Sequence, residues 1–317
     1  RWGYAAGGVA LALLAFDPTW LAHGRLATND AGVTVLGTFA LYLVGRWLRR
    51  REWKWAVGAG LLLGLTLLAK SSGVLWAGAA GLAALWTLRR SPETSDTHDR
   101  RRTFAQLLTM GGVALLVIWA MYGFSFGPIT LSPRLPRIPV PAPLHWESVL
   151  FQTQETGARP FYALGDLDQG RRWWYFPFAF AIKNPVALLI ALALALALSL
   201  TRRRTWRALH PLPLFAALYL IIAITHGPNI GYRHLLPVHP LFHLLIAGTL
   251  ASLWAKRGLM AQIGLSVLSL GYAATTLWIT PHEIAFFNLL AGGPNNGWYY
   301  LSDSNTDWMQ GLKALKS

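Results

Sequence analysis

Long uncharged apolar runs recur along the chain, separated by polar connections. Nine of them approach the roughly 20 residues that cross a hydrocarbon core: residues 2–16, 31–47, 55–69, 73–88, 104–124, 176–200, 211–225, 235–254 and 259–279. The first and seventh, at 15 residues each, are short for a span. The pattern predicts an all-α polytopic membrane protein with about nine transmembrane helices and one long connection, residues 125–175. Residues 1–280 are read as one transmembrane domain, and 281–317 as the start of a C-terminal extracytoplasmic segment.

Composition agrees. Only 13% of the 317 residues are charged and 54% are hydrophobic, whereas soluble domains carry about 25% charged residues. A soluble enzyme is excluded. No cysteine is present, so no disulfide framework holds the extracytoplasmic parts. The chain opens at Arg1-Trp2 without Met and ends at Lys316-Ser317, which reads as a fragment truncated at both ends.

A net charge of +15 first suggests nucleic-acid binding. Its distribution points elsewhere. The clusters at Arg46 to Lys54, Arg89-Arg90 with Arg100-Arg101-Arg102, Arg202-Arg203-Arg204 with Arg207, and Lys256-Arg257 fall on every second connection. Basic connections of this kind stay in the cytoplasm and meet anionic headgroups. They hold nearly all of the net charge, so the +15 is an orientation signal and no nucleic-acid partner is expected. The 91–103 stretch is polar and loop-like.

The opposite face carries the unusual chemistry: the connection from Asp17 to Asp30, Lys70, the long connection, the stretch from His226 to His234, and the tail from Pro281. The long connection is Pro-rich at 133–143, which favours extended backbone without a helix, and ends in an aromatic belt at 173–176. Connections of this length are usually functional. Two motif matches fail. Gly64 to Ser71 is one residue short of a phosphate-binding loop and lies inside an apolar helix. Asp303 to Asp307 opens like a calcium loop, but Trp308 and Ala314 stand where Gly and Glu are needed.

Lys70 ends one apolar helix and Lys183 lies seven residues into another, followed by Asn184-Pro185. An ammonium at membrane depth is costly unless it snorkels or meets an anion. With Arg233, these cations suggest an anionic, membrane-borne ligand such as a lipid phosphate. Asp30, at the mouth of the second span, reads either as a helix cap or as a carboxylate that orients an acceptor, binds a metal or holds a cation. His239 and His243 have metal-ligand spacing. Pro240 between them and the lack of a carboxylate nearby in sequence favour a packing role.

These segments resemble the polyprenyl-phosphate-sugar-dependent glycosyltransferases of the GT-C fold, specifically the bacterial branch of glycosyltransferase family 39, akin to protein O-mannosyltransferases and the aminoarabinose transferase of lipid A. The resemblance rests on FDPTWLAHGRLATND (16–30), LLAKSSG (67–73), WWYFPFAFAIKNP (173–185), GYRHLLPVHP (231–240) and the ending at 285–312. Departures from the family pattern are His234 for Tyr, Asn184 for Thr, and Met309 and Gly311 for Gly and Asp.

The resemblance implies a GT-C-like, phospholipid-carrier-dependent mannosyltransferase-like enzyme in the bacterial inner membrane, its active site facing the periplasm. The donor is a sugar on a polyprenyl phosphate, and the acceptor a hydroxyl of a protein, lipid or glycan. Lys70, Lys183 and Arg233 would meet the donor phosphate, and Asp30 the acceptor or a metal. His23, Arg25, Tyr232 and His234 are further site candidates. A divalent metal is an open possibility, and the main catalytic base is expected in a loop upstream of residue 1. The 125–175 connection and the tail after 281 would form an acceptor-selecting lid. A transporter or flippase for an anionic lipid or solute is the main rival; residues gathered on one face, without an inverted repeat, count against it. A structural membrane subunit would explain neither Lys70 nor Lys183.

Overall fold

A computed structural model of the chain describes residues 3–26, 28–89, 97–130, 138–155, 160–199, 211–226, 229–256 and 258–309. The cluster Arg202-Arg203-Arg204 with Arg207, the Pro-rich stretch 133–137 and most of the polar stretch 91–103 lie outside the described residues, or their side chains do. A helix falls on each of the nine apolar segments. Four are long and apolar enough to cross a membrane, within Asn29–Arg50, Arg100–Met121, Tyr232–Ala255 and Leu259–Ile279. Two bent pairs bring the number to as many as six if each pair is one span, and Trp53–Ala69, Gly73–Trp86 and Leu212–Thr225 are shorter apolar helices. The chain is a multi-pass membrane protein. Large apolar side chains lie open on these helices, among them Phe39, Leu116, Val267, Leu270, Leu277 and Trp278, as expected of surfaces solvated by lipid tails.

Two compact units are present: residues 32–156 with 210–219, and residues 1–31, 157–209 and 220–317. The former contains most of α3 (Asn29–Arg50), then α4 (Trp53–Ala69), α5 (Gly73–Arg89), α6 (Thr97–Met121), a small antiparallel ribbon of β1 (Phe126–Pro128) and β2 (Pro139–Pro141), and α7 (Pro143–Glu155). Helices α4 and α6 pack closely because Gly60 and Gly64 bring one backbone against the other: a Cβ at these positions would lie 2.5 Å from the Met110 carbonyl oxygen and 2.8 Å from that of Ala114. Gly64 therefore serves helix packing, the use of a small-xxx-small pair in membranes, and not phosphate binding. Trp47 and Gln106, both fully buried, share a bond from the indole N–H to Gln106 Oε1 at 2.9 Å, and Gln106 donates to the Arg51 carbonyl at 2.8 Å. Trp76 stacks on Phe215 at 3.6 Å.

In the long connection, residues 139–141 are extended as the prolines require. A helix nevertheless follows at once, because Pro143 opens α7, where its missing N–H and fixed φ cost nothing. His145 on this helix is buried, and desolvation pushes its imidazole below the ordinary pKa.

The second unit holds α1 (Gly3–Ala15), α2 (Pro18–Arg25), a ribbon of β3 (Phe161–Ala163) and β4 (Asp166–Asp168), α8 (Tyr175–Lys183), α9 (Val186–Ser199), the end of α10 (Leu212–His226), a 3-10 segment at Tyr232–Val238, α11 (His239–Lys256) and α12 (Leu259–Ile279). Helix α11 is its centre, packed by α1, α9 and α12. Two spans are broken here. Helices α1 and α2 meet at 61°, and α8 and α9 at 115°, where Pro185 cannot donate to the preceding turn. The apolar run 176–200, expected to be one span, is thus two helices with a corner at Asn184-Pro185. After α12 the tail makes short helical turns as far as Asn305.

Candidate functional site

Both breaks expose backbone groups and polar side chains that a continuous helix would satisfy internally. At the first break Asp17 caps α2, accepting from the Thr19 and Trp20 amides at 2.8 and 3.1 Å. Pro18 occupies the first helical turn, its favoured place. The short helix that results carries His23 and Arg25. Asp30 follows in the first turn of α3 and is buried beside Arg233, whose Nε lies 4.0 Å from Asp30 Oδ2. The guanidinium also stacks over Trp308 at 4.1 Å. Arg233 Nε and His23 Nδ1 are both buried without a hydrogen-bond partner. Asp30, Lys183, Arg233 and Asp17 all lie close enough to His23 to act on its charge.

The second break is closed by the tail. A helix end leaves its last carbonyls unpaired, and Asn288 takes up those of α8: its amide donates to the Ile182 carbonyl at 2.9 Å and its side chain to those of Ala181 and Asn184 at 2.7 Å each. Lys183 reaches in the opposite direction. Its ammonium donates to the carbonyls of Ile284 at 2.9 Å and Asn305 at 2.6 Å and faces the Phe287 ring at 4.2 Å. Asn305 in turn accepts from the Tyr232 amide at 2.8 Å and donates to the Tyr175 hydroxyl at 3.1 Å. Gly231 makes this docking possible, since a Cβ there would stand 2.1 Å from Ser304 Oγ. Arg25 ties α2 to the same tail through buried Glu283 at 2.8 Å.

A third cluster joins the first break to α11. Asp17 Oδ2 lies 3.1 Å from both His239 Nδ1 and His243 Nε2. The other ring nitrogen of His239 meets the Tyr232 hydroxyl at 2.7 Å, which accepts from Asn184 Nδ2 at 2.6 Å. Packing alone, the role expected for the histidine pair, therefore does not describe it. The carboxylate comes from 222 positions away, and Pro240 sits in the first turn of α11, where it leaves the helical spacing of the pair intact.

Of the residues singled out from sequence, His23, Arg25, Asp30, Lys183, Tyr232, Arg233 and His234 share one unit, and His23, Asp30, Lys183 and Arg233 form one electrostatic neighbourhood. Lys70, at the C-cap of α4, belongs to the other unit. Asp17, Asn288, Asn305 and Trp308 complete the arrangement. Asp17 was visible only as an Asp-Pro pair at the end of an apolar run, a helix-start signal.

Fold and site together define a multi-pass membrane protein with a buried polar centre assembled at two broken helices. Residues 2–98 match the family model of dolichyl-phosphate-mannose-protein mannosyltransferases. The match covers less than a third of the chain. It takes in FDPTWLAHGRLATND and LLAKSSG and stops before the remaining stretches that resemble the family. No curated protein and no solved structure matched the chain.

Proposed function

We propose that the chain is a GT-C-type membrane glycosyltransferase of mannosyl-transferring type. It moves a sugar from a polyprenyl phosphate to a hydroxyl of a protein, lipid or glycan at the periplasmic face of a bacterial inner membrane. The observation that carries this reading is the pair of buried Asp30 and part-buried Arg233, held 4.0 Å apart with Arg233 Nε making no hydrogen bond, next to His23 in a segment covered by the mannosyltransferase match. A guanidinium with a free donor suits a phosphate oxygen, and a carboxylate at the same point suits an acceptor hydroxyl.

In the proposed reaction the acceptor oxygen attacks the anomeric carbon from the face opposite the phosphate. The bond from that carbon to the phosphate oxygen breaks, and the lipid phosphate leaves with the electron pair. Arg233, anchored on Trp308, stabilises the charge that develops on the leaving oxygen. The acceptor's hydroxyl proton passes to a carboxylate base as the new bond forms, and Asp30 orients that hydroxyl. The inversion of configuration follows from the single displacement. Lys183 contributes field, since two of its three donors already meet carbonyls and its ammonium faces the Phe287 ring.

The test is transfer of labelled mannose from a polyprenyl-phosphate donor in membranes containing the full-length protein. Asp30→Asn and Arg233→Gln should each lower transfer about 100-fold or more with unchanged protein in the membrane. Wild-type rates in both would overturn the assignment. The helix breaks also suit a transporter; movement of the lipid donor across the bilayer without a glycosyl product would select that reading instead.

A further inference from the structure

We infer that Asp17, His239 and His243 form a binding site for a divalent transition metal of the zinc class, separate from the Asp30–Arg233 pair and independent of the transfer reaction proposed above. Three donor atoms converge: one carboxylate oxygen and two imidazole nitrogens, all within 4.8 Å of one another. The two oxygen-to-nitrogen separations are 3.1 Å. Tetrahedral zinc with arms of about 2.0–2.1 Å sets its ligand atoms roughly 3.3 Å apart, so these two pairs need to open by only tenths of an ångström. A donor set of two imidazoles and one carboxylate suits zinc-class ions over calcium or magnesium, which take mostly oxygen.

The surroundings are those of a ligand set. Metal-bound histidines and carboxylates are usually held by further hydrogen bonds that fix their orientation. Here the second nitrogen of His239 meets the Tyr232 hydroxyl, and the second oxygen of Asp17 is fixed by two main-chain amides. All three residues are buried, with relative exposures of 0%, 1% and 3%. Among the described residues no lysine or arginine pairs with Asp17. A carboxylate sealed at a helix break in a membrane is costly, and a dication compensates its charge directly.

The position gives the metal a consequence. Phe16 and Leu13, just before the break, are bonded to α12 through the Thr276 and Tyr272 hydroxyls. Asp17 then fixes the start of α2, which carries His23. A metal shared by Asp17 and α11 would clip the break between two helices and hold the angle at which α2 leaves. Three protein donors leave one tetrahedral position for water.

The test uses the purified full-length protein in detergent, without a histidine tag. Co²⁺ or Zn²⁺ is added alone. Tetrahedral nitrogen and oxygen ligation of Co²⁺ should give visible absorption bands at one equivalent per chain, and Zn²⁺ should displace them. His243→Gln and His239→Gln should each weaken Zn²⁺ retention in equilibrium dialysis by about 100-fold. Helicity and elution volume show whether each variant is folded. Because Asp17 also caps α2, Asp17→Asn, which keeps an oxygen acceptor, replaces Asp17→Ala in the series. Absence of the cobalt bands, or stoichiometric zinc that is retained equally in both histidine variants, would overturn the site and leave a purely hydrogen-bonded Asp-His-His cluster.

Discussion

Lys183 was expected to meet the donor phosphate, whereas its ammonium is engaged by two carbonyls of the tail. Lys183→Met separates the roles. Methionine keeps most of the length and removes all three donors, leaving the carbonyls of Ile284 and Asn305 without their partner. A buried acceptor stripped of its bond costs about 1–3 kcal/mol. Two such losses, partly offset because a buried charge also disappears, give roughly 3 kcal/mol, or about 100-fold in the local opening equilibrium.

The assay is hydrogen exchange by mass spectrometry. Amides anchored through this lock, those of Tyr232 and Asn288, should exchange about 100-fold faster. The amide of Arg51, bonded within the other unit to the Trp47 carbonyl, is the control and should not change. Unchanged exchange at Tyr232 and Asn288, together with a raised KM for the lipid donor, would refute the reasoning and return Lys183 to phosphate binding.

Three further outcomes are expected. Gly60→Val should lower the thermal midpoint, because its Cβ meets the Met110 carbonyl, a backbone atom that cannot rotate away; a loss of about 1–3 kcal/mol is expected, measured by unfolding in detergent. Gly231→Ala forces Ser304 to give up its bond to the Ile230 carbonyl, costing about 1 kcal/mol. In Ser304→Ala that bond is already lost, so a double-mutant cycle should show the two changes to be non-additive. For His145, burial lowers the folded pKa below the unfolded value of 6.5, so the unfolded chain binds more protons. Stability should be full above that value and decline as pH falls towards the folded pKa. His145→Phe should flatten denaturation measured from pH 7.5 down to 5, and an unchanged slope would refute the assignment.

What sequence reveals here follows from the range of each interaction. Each apolar run announced a helix, because hydrocarbon solvation is a property of the run itself. Cation positions were also legible: Lys70 and Lys183 stood out as charges where lipid makes them costly, and Arg233 as a further cation on the same side. The partners were not. Lys183 meets a carbonyl 122 positions away, and Asp17 meets histidines 222 and 226 positions away; nothing local encodes either pairing. The corner at Asn184-Pro185 was visible as residues but not as geometry. A proline in an apolar run either kinks a helix or ends it, and here the tail decides, by supplying Asn288 to the carbonyls that the corner strands.

This division bears on how positive charge serves the proposed reaction. An ammonium already holding two carbonyls cannot give those donors to a phosphate without releasing the tail. The guanidinium of Arg233 has no such commitment: its Nε is unpartnered, its plane rests on Trp308, and Asp30 stands 4.0 Å off. Trp308 follows closely on Asn305, which Lys183 holds in place. In the proposed reaction Lys183 would then act on Arg233 through the tail, by fixing the surface on which the guanidinium lies. Loss of Lys183 should then reduce transfer by misplacing Arg233 as well as by loosening the tail. A second change that restores the tail without restoring the ammonium should recover much of the activity, whereas no repair of the tail should rescue Arg233→Gln.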